Sequence, residues 1–265
     1  MRVVGLQEAE GVGHSLRLAF VSCDAVLAFY WLVQFSNSIR VLSTDLLFLL
    51  ISSVCSYFAI VSLRAWGVRD RFSVLYICVS LGIILTTIGN AIEFRNAING
   101  GIPTFPSVED FLDFAGGVLI ILGLLQFLYS VRWRLPRTET IICIACALFG
   151  TGMVTIVALR SVSPPSGIGA VVVALSFPVV GILGLLGSLL MLFTFSDGEI
   201  AFSWLSIAAG AFCFSVGNTL YSLAVLAGWY YVGNPLEILW VWGYIALAVG
   251  FQAERKILKS GNSST

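Results

Sequence analysis

The chain reads as an all-α polytopic membrane protein with about eight transmembrane helices in a parallel 4+4 internal repeat. Three observations predict this. The composition is 58% apolar and only 11% charged, with a mean hydropathy of +0.99, which excludes a water-facing globule. The basic residues cluster in alternate connections between apolar stretches. Glycines recur at a fixed offset between the two halves. Only helices or closed barrels satisfy their backbone in lipid, and stretches of this length suit helices.

The spans fall at 16–36, 46–64, 73–94, 111–131, 139–160, 167–195, 201–227 and 236–254. Residues 1–15 are too polar for a signal-peptide core and form a cytoplasmic N-terminal segment. Residues 16–254 form one transmembrane domain with repeat halves of about 16–131 and 139–254, and 255–265 make a polar, mobile cytoplasmic tail. With eight spans, eleven of the fourteen basic residues share the side of the termini: Arg2, Arg17, Arg64, Arg69, Arg71, Arg132, Arg134, Arg137, Arg255, Lys256 and Lys259. Arg40, Arg95 and Arg160 lie opposite. The positive-inside rule then places both termini in the cytoplasm of a cell-membrane protein.

The first span carries Asp24 at mid-depth between Cys23 and Ala25. A carboxylate there costs a few kcal/mol unless it is protonated, paired or facing a wet cavity, so Asp24 is a candidate site residue. A protonated Asp bonded to a hydroxyl on a neighbouring helix is the competing explanation.

The third span ends in Asn90 and Glu93, three residues apart and hence on one helix face. After the loop Arg95–Ser107, Glu109, Asp110 and Asp113 open the fourth span. Asn90, Glu93, Asp110 and Asp113 are therefore candidates to bind a polar ligand or a cation. Helix capping competes with that reading. Ser107-Val108-Glu109-Asp110 has capping-box spacing, and in Asn234-Pro235-Leu236-Glu237 the Asn caps, the Pro takes the first helical position and the Glu reaches back. Glu93 and Asp113 have no capping role to fill.

The fifth span holds Cys143 and Cys146, a lone CxxC without a second pair. All six cysteines lie in spans, where packing between helices is the better reading than zinc, redox or disulfide chemistry. The sixth span contains Pro178, which predicts a kink. Trp229-Tyr230-Tyr231, Tyr30-Trp31, Trp240 and Trp242 sit near one interface, and Trp66, Tyr129 and Trp133 near the other, as an aromatic belt.

The repeat is carried by matched residues. At an offset of 128, Gly82 meets Gly210, Gly89-Asn90 meets Gly217-Asn218, and Gly100 meets Gly228. At 127, Asp110 meets Glu237, Gly116 meets Gly243, and Gly123 meets Gly250. A chain with 26 glycines in 265 residues would align fewer than one such pair by chance in this window. No carboxylate stands where Glu93 would fall, and Trp240 stands where Asp113 would, so the acidic cluster belongs to one half only.

No phosphate-cradling loop, zincin motif or nucleophile elbow is present, and His14 is the one imidazole, outside the spans. The expected chemistry is non-enzymatic, with no cofactor; whether a metal binds stays open. The small juxtamembrane basic clusters suit anionic lipid, not nucleic acid.

The stretch Pro106-Ser107-Val108-Glu109-Asp110-Phe111, after Gly89-Asn90, resembles multi-pass membrane modules that often precede diguanylate-cyclase or histidine-kinase domains in prokaryotes. Gly217-Asn218, Asn234-Pro235-Leu236-Glu237 and Gly243-Tyr244 resemble the second hairpin of those modules, so the likeness covers about residues 40–253. Two departures are the lack of an output domain and Asp113 at a usually aromatic position. The resemblance implies a sensor module that binds an unspecified ligand and signals to a cytoplasmic partner or within a homodimer. A small solute, ion or proton transporter using Asp24 and the acidic cluster is the alternative.

Overall fold

The computed structural model describes residues 17, 20–66, 73–100, 107–130, 137–161, 168–194 and 201–262. Expectations for residues 1–15 (with His14), Arg69, Arg71, the 101–106 part of the first hairpin loop, and Arg132-Trp133-Arg134 lie outside them. The chain is all-α. Its helices are α1 (Phe20–Val33), α2 (Asn37–Trp66), α3 (Ser73–Ile98), α4 (Val108–Ser130), α5 (Arg137–Ser161), α6 (Ile168–Thr194), α7 (Ala201–Leu226) and α8 (Ile238–Asn262). A 3-10 turn, Pro235–Glu237, leads into α8.

Among the described residues, α2, α3, α5, α6, α7 and α8 contain stretches long and apolar enough to cross a membrane. Their exposed faces are hydrocarbon. On α2, Leu46, Leu50 and Val54 form a stripe one turn apart, and on α5 Ile141, Ile144, Leu148 and Phe149 are all exposed. Contiguous apolar surface on this scale suits lipid, not water. Hydroxyls within the helices turn back on their own backbone: Ser53 Oγ donates to the Leu49 carbonyl at 2.6 Å and Thr151 Oγ1 to Ala147 at 2.8 Å.

Two boundaries differ from the hydropathy reading. Helix α2 begins at Asn37, nine residues ahead of the expected 46, because Ser43 and Thr44 bond the Ile39 and Arg40 carbonyls and so remove their polar cost. Asp45 is thereby carried inside a helix. Helix α8 runs on to Asn262 through residues assigned to the tail. Helix α6 continues through Pro178, which is fully buried.

The packing order is cyclic. Helix α2 packs on α3, α3 on α4, α4 on α6, α6 on α7, α7 on α8, and α8 returns to α2. Helix α5 lies outside against α6 and α7. Helix α1 lies outside too, with Val26 and Tyr30 against Ile238, Val241, Phe48 and Ile51.

Glycine sets close crossings in both hairpins. A Cβ on Gly82 would lie 2.6 Å from the Gly116 carbonyl oxygen, where α3 crosses α4. A Cβ on Gly210 would lie 2.8 Å from the Gly243 oxygen, where α7 crosses α8. Lipid offers no hydrophobic gain for helix association, so such close backbone approach carries the packing. Gly100 and Gly228 end α3 and α7 with φ of 68° and 73°, and each donates its N–H three residues back at 3.1 Å. A side chain would be strained at both.

Gly82→Val must therefore push α4 off α3 and should destabilise the detergent-solubilised protein by about 1–3 kcal/mol. Gly152→Ala is the control, since nothing lies within 4 Å of its would-be Cβ. Thermal unfolding of both variants checks this; equal melting temperatures would remove the crossing from the account.

Candidate functional site

The six ring helices enclose a cavity of about 610 Å³, to which α1 and α5 contribute no described residue. This volume is within the range of small-molecule sites. Along α3 it runs from Glu93 to Leu75, about 27 Å at 1.5 Å per residue, comparable with a bilayer's hydrocarbon core. Gly228 and Tyr231 line it and are exposed, so one end reaches the surface beside the α7–α8 connection.

That end is acidic. Asp45, Glu93, Glu109, Asp110, Asp113 and Glu237 all line it. The Glu93 carboxylate is within electrostatic reach of Asp45, Glu237, Asp113 and Glu109. Among the described residues, no Lys, Arg or His lines the cavity. Below the acids the walls turn apolar, through Ile83, Ile120 and Leu124 to Met191, Leu247 and Phe251. Tyr76 lies at the far end, where its hydroxyl bonds the buried Glu254 and its ring packs 6.2 Å from that of Trp204.

Three of the acids are held by structure. Ser107 donates to Asp110 Oδ2 from its N–H at 2.7 Å and its hydroxyl at 3.0 Å, while the Asp110 N–H donates back to Ser107 Oγ at 3.3 Å. This is the expected reciprocal cap. Asn96 Nδ2 donates to Glu109 Oε1 at 2.6 Å. Glu237 receives Tyr230 and the Gly233 N–H on Oε1, both at 2.8 Å, and Tyr30 on Oε2 at 3.1 Å. It thus ties α1, the α7–α8 loop and α8 together. Asn234 Oδ1 caps the Leu236 N–H at 3.1 Å, as expected, but Glu237 reaches back to Gly233 and not to the cap residue itself. Burial, with the Glu237 carboxylate beside it, pushes the Tyr230 phenol well above its ordinary pKa, so it stays a proton donor.

One acceptor is not so held. The buried Asp113 Oδ1 has no partner among the described residues. It lies 3.4 Å from where a Cβ on Gly89 would stand, so it faces the α3–α4 crossing. Asn90, only 7% exposed, pairs with the Tyr244 hydroxyl. A buried polar atom without a partner costs about 1–3 kcal/mol, which makes Asp113 Oδ1 the cavity atom most in need of an explanation.

Of the sequence candidates, Asn90, Glu93, Asp110 and Asp113 come together in this cavity. Asp24 does not; it lies on an exposed face of α1 outside the ring. The aromatic belt needs correcting. Trp31 is 74% exposed and fits it, and Trp229 is exposed as well. Tyr30 is 1% exposed, however, and bonds Glu237 from behind the cavity wall, while Tyr230 and Trp240 line the cavity. Burial side within a helix separates these residues; sequence neighbours Tyr30 and Trp31 point opposite ways. Asp45 and Tyr221 went unnoticed. Asp45 was hidden by the late start assigned to its helix, and Tyr221, which donates to Asp110 Oδ1 at 3.4 Å, gives no sequence signal beyond an internal tyrosine.

All six cysteines are free, and no group of three or more acids, His or Cys converges as a metal site among the described residues. The acids are spread around a mouth and do not focus on a point. No family model, curated protein or solved structure matches this chain.

If the division between held and unheld groups is right, stability should separate them. Glu237→Ala leaves three donors unpaired and should cost about 3 kcal/mol. Asp113→Leu removes an unpaired buried acceptor and should leave the melting temperature unchanged or raise it. Thermal unfolding in detergent distinguishes the two; a large loss at Asp113 would make it structural.

Proposed function

We propose that this chain is a non-enzymatic membrane module of sensor type, built from a duplicated four-helix unit, that binds a ligand in the ring cavity and relays its state along α8. The observation that carries the reading is a cavity with an acidic mouth whose wall is continuous with a long terminal helix. The 3-10 turn that leads into α8 contributes Glu237 at the mouth, and α8 itself contributes Tyr244 and Leu247 midway and Phe251 at the far end and continues to Asn262. A shift at the mouth is thereby coupled to the opposite end by one rigid element.

The duplication is supported by the packing. Exchanging halves maps α2–α3, α3–α4 and α4–α6 onto α6–α7, α7–α8 and α8–α2, the ring already described. The glycines matched in sequence do matching jobs: Gly82 with Gly116 and Gly210 with Gly243 at crossings, Gly100 and Gly228 as positive-φ caps. The positive-inside distribution supports cytoplasmic termini and an acidic mouth on the outer face. Partners under this reading are the bilayer and a cytoplasmic signalling protein or a second copy, in keeping with the resemblance to modules that precede cyclases and kinases.

The second reading, a small transporter, draws on the length of the same cavity, which nearly crosses the bundle and is closed near Tyr76 and Trp204. Parallel repeats around a central path are a transporter pattern. Its acidic-cluster part survives on geometry, whereas Asp24 lies outside the ring.

A diguanylate-cyclase domain fused after Thr265 tests the relay. Glu93→Gln combined with Asp113→Asn should change cyclase output about threefold or more at unchanged expression, a shift of about 0.6 kcal/mol or more in a two-state balance. Unchanged output, together with proton or cation flux in proteoliposomes that the same substitutions abolish, would replace the sensor reading with the transporter.

A further inference from the structure

Resting on the reading of the cavity as a ligand site, we infer that it takes a single-chain cationic amphiphile, a long-chain amine or amino alcohol, with its head at the acids and its chain along the bundle axis.

Four observations converge on that chemistry. First, shape: about 610 Å³ drawn out over about 27 Å is narrow and elongated, the proportions of a hydrocarbon chain and not of a compact polar solute. Second, polarity is divided along the length. The acids crowd one end, and Leu75, Val79, Ile83, Leu124, Met191 and Leu247 line the rest with a few hydroxyls such as Ser188 and Ser215, each bonded to its own helix backbone. A uniformly polar solute would leave its polar groups unpaired beside those walls, and a pure hydrocarbon would bury the acids against apolar surface. Met191, unbranched and polarizable, suits a chain of variable position.

Third, charge is of one sign. Six carboxylates meet at the mouth, and no basic residue lines the cavity among the described residues. A fatty acid or phosphate headgroup would add like charge to a confined cluster, whereas an ammonium supplies the missing counter-charge. The acids do not converge as metal ligands, which favours an extended organic cation over a bare ion.

Fourth, the polar atoms at the boundary between head and chain regions are asymmetric between the halves. Trp240 Nε1 donates to Asn218 Oδ1 at 2.9 Å, so the second hairpin pairs its own Asn with its own Trp. At the corresponding positions in the first hairpin stand Asn90, paired with the Tyr244 hydroxyl, and Asp113, whose buried Oδ1 has no partner among the described residues. A buried acceptor without a donor suits an ammonium or hydroxyl, either of which can donate to Asp113.

The test uses the full chain, purified, delipidated and placed in phosphatidylcholine nanodiscs. Tetradecylamine, tetradecanoic acid and butylamine are titrated separately and followed by tryptophan fluorescence, with Trp240 and Trp204 in the cavity wall. Tetradecylamine should bind at least about tenfold more tightly than either of the others. The double variant Glu93→Gln, Asp113→Asn should weaken it by about tenfold or more, and Ile120→Trp, which fills the chain region, should abolish binding while the folded protein retains its helical circular dichroism. Equal binding of the acid overturns the cationic head, and equal binding of butylamine overturns the chain; both leave a ligand site in place. If none of the three binds saturably, or Ile120→Trp binds normally, the cavity is not the site and the reading beneath the inference falls with it.

Discussion

The architecture depends on helix backbones approaching closely at glycine in a solvent that does not drive helices together. Where α3 crosses α4, no side chain fits between Gly82 and the Gly116 carbonyl, and the Gly210–Gly243 crossing repeats the arrangement between α7 and α8. Each crossing makes a stiff hairpin. Two stiff hairpins, joined through α2 and α6, close a ring whose inner wall is also a shared apolar cluster to which all six helices contribute. A central cavity follows from that geometry, because packing energy is gained pairwise between neighbours.

The same division of labour runs through the carboxylates. Glu237 accepts from two tyrosines and a backbone N–H and holds three elements in register. Asp110 closes a capping box and Glu109 is tied to Asn96. These acids are structural groups that face a cavity. Asp113 Oδ1 gains no partner from the fold itself, and proteins carry such costs where a site needs them. Mouth acidity is thus partly a by-product of building hairpins and partly unassigned to structure. Only the second part argues for ligand.

Much of this was legible in residues. Apolar length marked the helices, the Pro106-Ser107 and Asn234-Pro235 punctuation marked the hairpins, and glycine spacing pointed to crossings that the coordinates place in contact. Asn90, Glu93, Asp110 and Asp113 could be grouped because they lie within one hairpin, where sequence proximity and spatial proximity coincide. Asp45, Tyr221, Tyr230 and Glu237 join them from three other segments, and such long-range convergence leaves no trace in a single chain. Asp24 shows the converse. Depth in a hydrophobic stretch says that a carboxylate is costly, but only helix rotation says whether it faces a cavity, and α1 turns Asp24 outward. Tyr30 and Trp31 make the point again, since one step along α1 moves an aromatic from a buried face to an exposed one.

The central claim is that polar molecules reach Glu93 and Asp113 through a mouth at one end of a helical ring whose opposite end is shut. Cysteine placed singly at Glu93, Asp113 and Leu75 in a cysteine-free background, and treated in intact membranes with a charged thiol reagent, tests it most directly. The account predicts reaction at 93 and 113 from one side of the membrane only, with Leu75 protected from both. Reaction at Leu75 as fast as at 93, or labelling of 93 and 113 from opposite sides, would contradict it.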